Sequence, residues 1–184
     1  SQNFILPSFD SESEALLARN SYSAEFSQKV AFLVSDQLVH GLTTDRREFL
    51  GLPGNLSEPE GLKRLGLSGK VEAGTDPCAV LQIQINIKPG EIKTVTFMIG
   101  QADNHQEALD LVRSIAKESA IEESWKVSRE KWELLLTKLQ VSTPEPAMDI
   151  ILNRWLLYQA LSCRIWARSA FYQSSGAYGF RDQL

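Results

Sequence analysis

Asn153-Arg-Trp-Leu-Leu-Tyr-Gln159, continued through Arg164-Ile-Trp-Ala-Arg-Ser-Ala-Phe-Tyr-Gln173 to Gly179-Phe-Arg-Asp-Gln-Leu184, is the stretch on which the reading of this chain turns. Its helical part is rich in Trp, Tyr and Arg. Trp155, Gln159, Ser162, Trp166 and Ser169 fall on one stripe, and Arg154, Tyr158, Leu161, Ile165, Arg168 and Tyr172 on another. Neither stripe is a plain solvated face, and a helix apolar on most sides is normally buried inside something large. Arg154, Arg164 and Arg168 in such a helix need carboxylates or carbonyls as partners. No obvious set of acids is in view, so those partners are expected outside this sequence. A loop punctuated by Gly176 and Gly179 then presents Arg181 and Asp182, and the chain stops at Leu184. A sequence that lacks an initial Met and ends on such a helix and loop reads as a fragment of a larger protein.

Working back from there, a third helix start lies at Ser142 with Glu145, or at Thr143 with Pro144 in the first helical position. It opens the helix that runs to about Tyr172. Asp103 with Gln106 has capping spacing for a helix to about Lys117, and Ser119 with Glu122 repeats the signal. The apolar stripe of that second helix is Trp125, Trp132, Leu135, Leu136 and Leu139. Before about Gln101 the pattern changes to that of strands. Leu81, Ile83, Ile85 and Ile87 alternate with Gln82, Gln84, Asn86 and Lys88, the period of a half-buried strand. Pro89-Gly90-Glu91 then turns the chain into Val95, Phe97 and Ile99, which alternate with Thr94, Thr96 and Met98, so a hairpin is expected. Ala24, Phe26, Gln28, Val30, Phe32 and Val34 read as one side of an earlier strand. Strands followed by helices imply an α+β chain of several regions with an antiparallel sandwich, without βαβ alternation.

Composition narrows the function classes. A net charge of −4 and a pI of about 5.3 give no electrostatic footprint for nucleic acid. No apolar run reaches the ~20 residues of a membrane helix, and Ser1-Gln-Asn-Phe4 is no secretory leader. Cys78 and Cys163 lack CxxC spacing, so two reduced, buried thiols are expected in place of a disulfide or zinc site. His40 and His105 have no metal-ligand spacing and read as surface or loop residues.

Trp155–Gln159, Arg164–Gln173 and Gly179-Phe-Arg-Asp182 together resemble glycoside hydrolase family 94, the inverting phosphorylases of β-linked glucosides. Within it they look most like the phosphorylase-like C-terminal region of cyclic β-1,2-glucan synthases. Thr44-Asp-Arg-Arg-Glu-Phe-Leu-Gly51, Leu67-Ser-Gly69 and Gly74-Thr-Asp-Pro-Cys-Ala79 look like the same group. The resemblance implies the end of a β-supersandwich over 1–100, a helical linker over 101–141, and the first helix of an (α/α)6 barrel over 142–184. It implies an enzyme that cleaves β-glucans, β-1,2-linked by the closer likeness, with inorganic phosphate as co-substrate and no other cofactor. The remainder of the parent chain is an implied partner, and a homodimer is compatible. A cytoplasmic setting is implied for the fragment, with a parent protein anchored in the bacterial inner membrane.

By that resemblance Arg181 and Asp182 hydrogen-bond hydroxyls of the transferred glucosyl unit. The residue types suit sugar recognition, since a carboxylate accepts from two vicinal hydroxyls and a guanidinium donates in a fixed fork. A structural ion pair in a loop is the alternative. Arg168 could approach the sugar but fits a supporting ion pair better; Tyr172 could stack on it, and Gly179 would let backbone come close. Trp155 and Trp166 also have faces able to stack on a pyranose, though aromatics at helical spacing are more often core. Phosphorolysis needs a general acid and a phosphate cradle, but no general base. Both are expected later in the barrel, so this stretch alone should be catalytically silent. Family members that act on disaccharides carry a longer segment with an extra Arg before the Phe-Arg-Asp. The shorter Ser174–Gly179 here favours the glucan-synthase type. A non-catalytic carbohydrate-binding or interaction module is the competing reading.

Overall fold

The structure, a computed structural model, describes residues 2–115 and 118–166. The chain divides into two compact units, 1–121 and 122–184. In the first, β1 (Ile5–Asp10), β2 (Ala15–Asn20) and β3 (Val30–Ser35) precede β4 (Val39–Asp45) and the short α1 (Arg46–Leu50). Then come β5 (Pro77–Ile83), β6 (Phe97–Ala102) and α2 (His105–Ile115). A four-stranded antiparallel sheet has the order β1-β2-β3-β6, and β4 pairs with β5 in a second sheet.

The β1–β2 turn is shaped locally. The Asp10 carboxylate accepts from both the amide and the hydroxyl of Ser13, and Glu14 takes a left-handed φ of 52°. The Glu14 carboxylate then accepts from the Val39 amide at 2.6 Å, tying the turn to the start of β4. Successive side chains of a strand face opposite ways. Ala15 and Leu17 of β2, Val30, Phe32 and Val34 of β3, and Ala102 of β6 therefore bury together under Ala108, Leu109 and Val112 of α2. Gly100 makes this layer close: a Cβ there would lie 2.3 Å from Cζ of Phe32, so only glycine leaves room for the ring. The other face carries Leu16 and Leu33 toward β5 but leaves Phe97 and Ile99 largely exposed.

Three readings of the β region are corrected. Residues 24–28 form a turn, closed by Phe26 N–H to Ser23 O and Lys29 N–H to Phe26 O, and the strand begins at Val30. The expected hairpin across Pro89-Gly90-Glu91 does not form: β5 ends at Ile83 and pairs with β4, whereas β6 pairs with β3. The inward residues of β6 are Met98, Gly100 and Ala102, not Phe97 and Ile99. Helix α2 starts after Asn104, whose side chain accepts from the Glu107 amide at 2.9 Å. The Glu107 carboxylate reaches back to the Asp103 amide at 3.0 Å, a capping exchange shifted one residue from the expected pair.

Helix α3 (Glu118–Leu136) spans the boundary between the units. Trp125 is exposed and only Leu136 of its expected stripe is fully buried. Then α4 (Pro146–Ile150) begins with Glu145 as its cap, the Glu145 carboxylate accepting from the Ala147 amide. The first-turn proline is Pro146, not Pro144. The helix continues through a π-helical turn (Ile151–Trp155), an α turn (Leu156–Gln159) and a second π-helical stretch (Ala160–Trp166). No helix among the described residues is long and apolar enough to cross a membrane.

Candidate functional site

Three separate stretches, Thr44–Gly51, Leu67–Gly69 and Gly74–Ala79, come together around β4 and α1. Asp45 caps α1 by accepting from the Arg47 amide at 2.9 Å, and Gly51 closes the helix with φ 80°. The Arg46 amide donates to Asp76 O at 2.9 Å, and its guanidinium reaches Pro77 O at 3.4 Å. Thr44, 2% exposed, fixes the 68–72 segment: its amide donates to Lys70 O at 3.1 Å, and its hydroxyl accepts from the Glu72 amide at 3.0 Å. Gly69 N–H donates to Leu42 O at 2.9 Å.

Glu48 is the centre of this arrangement. One carboxylate oxygen accepts from the Ser68 amide at 2.8 Å and from the Arg64 guanidinium at 3.2 Å. The other accepts from the hydroxyls of Ser68 and Thr43, each at 2.6 Å. Burial opposes its charge, but hydrogen bonds from Ser68 and Thr43 and the Arg64 cation outweigh this and hold the carboxyl below its ordinary value. A carboxylate so saturated is a poor general acid: it has no proton to give and no free lone pair aimed at a ligand. Its role is to pin the loop that follows α1 onto β4. Cys78 is likewise unsuited to nucleophilic chemistry. Burial pushes its thiol up to about 11, so it stays protonated at neutral pH. Both cysteines are free and half-buried.

In the second unit the helix of residues 146–166 is held by side chains. The Asn153 amide spans the Val141 peptide, its oxygen accepting from Val141 N–H at 2.7 Å and its NH2 donating to Val141 O at 2.9 Å. The Thr143 amide donates to the Asp149 carboxylate at 2.8 Å, so the 141–145 connection is fastened at Val141 and at Thr143. Arg154 corrects an expectation: its partner is within the chain. It grips the Glu133 carboxylate in a fork at 2.6 and 3.2 Å, and the side chain is half exposed. That contact draws Glu133 below the ordinary carboxylate range.

The two stripes expected on this helix also merge. Trp132 packs against both Tyr158 and Trp166, with ring centroids 5.1 and 5.2 Å apart, and Trp155 lies 6.0 Å from Tyr158. The wider i→i+5 turns rotate less per residue than an α-helix, which carries Trp166 round toward the side of Tyr158. Trp155 and Trp166 are thus partners in an aromatic cluster, each still about half exposed. Arg168, Tyr172, Gly179, Arg181 and Asp182 lie outside the described residues. His40 sits in β4, with Nε2 2.8 Å from Leu65 O, and His105 opens α2. No cluster of three or more His, Cys, Asp or Glu side chains suited to a metal occurs among the described residues.

Antiparallel sheets followed by helical segments that carry Trp, Tyr and Arg define the class by architecture: a sheet domain that precedes a helical one. Residues 1–118 match the family model described as glycosyl hydrolase 94, supersandwich domain. Residues 131–184 match the one described as glycosyl hydrolase 94 superfamily, catalytic domain. The chain belongs to the glycosyl hydrolase 94 family. It is 39% identical over 185 residues to the cyclic beta-(1,2)-glucan synthase NdvB of Rhizobium meliloti (strain 1021), covering 98% of this chain and 6% of that protein. It is 30% identical over 144 residues to a solabiose phosphorylase of Paenibacillus borealis, covering 78% of this chain and 18% of the relative. An N,N'-diacetylchitobiose phosphorylase of Vibrio proteolyticus is 27% identical over 141 residues, covering 74% and 17%. The chain therefore spans less than a fifth of the length of each of these relatives.

Proposed function

We propose that the protein carrying this chain cleaves β-1,2-linked glucans by inverting phosphorolysis and releases glucose 1-phosphate. The observation that carries the reading is the catalytic-domain match over residues 131–184, within a chain 39% identical to a cyclic β-1,2-glucan synthase. Phosphorolysis is favoured over hydrolysis because two of the other relatives are phosphorylases by name. In this scheme a carboxylic acid elsewhere in the parent protein protonates the glycosidic oxygen. Phosphate attacks the anomeric carbon from the opposite face, so the configuration inverts. The (α/α)6 barrel that would hold this chemistry begins, in our reading, with the helix of residues 146–166.

The contribution of the present chain is recognition of the transferred sugar. Asp182 accepts hydrogen bonds from two neighbouring hydroxyls of the glucosyl unit, and Arg181 donates to a third oxygen while holding the Asp182 carboxylate in place. Arg168 supports that pair, Tyr172 lies beside the ring, and Gly179 lets the loop backbone approach it. The β-glucan and phosphate are thus the ligands, in a cytoplasmic setting. Replacing Asp182 by Ala in the full-length protein tests the reading. Losing hydrogen bonds from a charged group to substrate should lower kcat/KM by a factor of roughly 10 to 100 or more. An unchanged rate and glucan affinity would remove Asp182 from the sugar site.

A further inference from the structure

A cavity of about 300 Å³ opens on the α2 side of the four-stranded sheet, with Arg19, Gln28, Ser8 and His105 among its lining residues. Its volume is at the lower end of small-molecule sites. The lining is unusual in its polar content. Arg19, Gln28, Ser8 and His105 come from β2, the turn before β3, β1 and the first residue of α2. All four are exposed and can donate hydrogen bonds, no carboxylate is among the lining residues, and none of the four side chains has a hydrogen-bond or ion-pair partner among the described residues, so a ligand would compete only with water for them. The neighbouring charges are already engaged: Lys29 pairs with Asp103, Arg113 with Glu12 and Asp110, and Asp10 with Ser13. Asp10 and His105 interact through their charges, but Asp10 lies outside the lining. The N-terminal end of the eleven-residue α2 borders the cavity through His105, but Asn104 and Glu107 already cap it, so the four side-chain donors carry the site.

We propose that this cavity binds a phosphoryl group, either as free phosphate or on a small sugar. A guanidinium gives a fixed two-pronged donor, and the other three donors come from separate elements. Oxygens directed tetrahedrally meet such a set better than a planar carboxylate does. Leu6, Pro7, Leu17 and Val30 form the apolar wall beside it. The site belongs to the sheet unit and is independent of the Arg181–Asp182 reading, so it can fail while phosphorolysis stands, and the reverse.

The test is ¹⁵N–¹H NMR of this chain titrated with inorganic phosphate, glucose 1-phosphate, glucose, and chloride at matched ionic strength. We expect saturable shifts of the Arg19 Nε–H and the His105 amide with the phosphate-bearing probes. Equal response to both shows that the phosphoryl group suffices; response to glucose 1-phosphate alone shows that the sugar is needed too. Arg19→Gln, an exposed position whose change should leave the circular dichroism spectrum intact, should weaken binding tenfold or more. The proposal is overturned if chloride reproduces the shifts, if glucose alone produces them, if neither phosphate probe does, or if Arg19→Gln leaves the affinity unchanged.

Discussion

Replacing Glu48 by Ala should be among the most costly single changes in the sheet unit, and its size can be worked from the contacts. The Glu48 side chain is only 10% exposed. Its loss leaves the hydroxyl of Thr43, a residue 0% exposed, without its acceptor. A buried donor left unsatisfied costs about 1–3 kcal/mol. The Ser68 amide and hydroxyl and the Arg64 guanidinium lose three further bonds to a charged acceptor. Because those partners are exposed and regain water, each contributes nearer ~0.5 kcal/mol. The total is about 3 kcal/mol. Glu48→Gln should cost roughly half of that, since the hydroxyls of Thr43 and Ser68 can turn to accept from an amide NH2. The assay is urea unfolding followed by far-UV circular dichroism, because all four tryptophans fall at or after position 125 and report on the second unit. Hydrogen exchange at the Ser68 amide gives a local readout, with protection lost in Glu48→Ala. Adding Thr43→Val should recover part of the loss by removing the stranded hydroxyl. A Glu48→Ala cost under ~1 kcal/mol, or strict additivity with Thr43→Val, would refute the view of Glu48 as the pin of this loop.

Other expectations follow from the same contacts. The folded-state value of Glu48 is depressed, so its stabilising contribution is complete above the ordinary glutamate range and is lost as pH falls through the lowered value. Carboxyl NMR titration should therefore place Glu48 below the ordinary glutamate value, and Glu48→Gln should flatten the acid limb of the stability curve. Gly100→Ala should cost about 1–3 kcal/mol, because its methyl meets the buried Phe32 ring; Phe32→Leu should reduce that penalty when combined with it, as read by urea midpoints. Asn153→Ala should release the Val141 peptide at a cost of about 1–2 kcal/mol, with faster amide exchange at Val141. Cys78 should resist thiol reagents at neutral pH in the folded chain and react on unfolding.

How much of the fold is legible in the sequence depends on how local each signal is. The change from strands to helices near residue 101 is a matter of period and composition, and β6 indeed ends at Ala102 with α2 starting at His105. Strand partners are not local. The alternation from Leu81 to Lys88 marks a strand, but only the long-range pairing with β4 ends it at Ile83, leaving Ile85 and Ile87 outside any ladder. Gln82 alternates like a solvent-facing residue, yet it accepts from Leu67 N–H at 3.0 Å and donates to Arg64 O at 3.2 Å, because a distant loop crosses it. The β1–β2 hairpin is silent in the sequence because its turn rests on Asp10 and Ser13 without a glycine. Arg154 looks unpartnered in its own helix for a similar reason: Glu133 stands 21 positions away on another helix, and no pattern within one helix discloses that contact. Thr44–Gly51 and Leu67–Gly69 stand out as stretches by resemblance, but the Glu48 hub that joins them does not. The proposed sugar-site residues Arg181 and Asp182 rest on motif resemblance.

The most direct test of the central claim is to incubate the full-length protein with linear β-1,2-glucan and inorganic phosphate and to follow the products by ³¹P and ¹H NMR. Phosphate-dependent release of α-glucose 1-phosphate is expected as the glucan shortens, since attack on a β-linkage with inversion yields the α-anomer. Release of free glucose without phosphate consumption, formation of the β-anomer, or no shortening at all would contradict it.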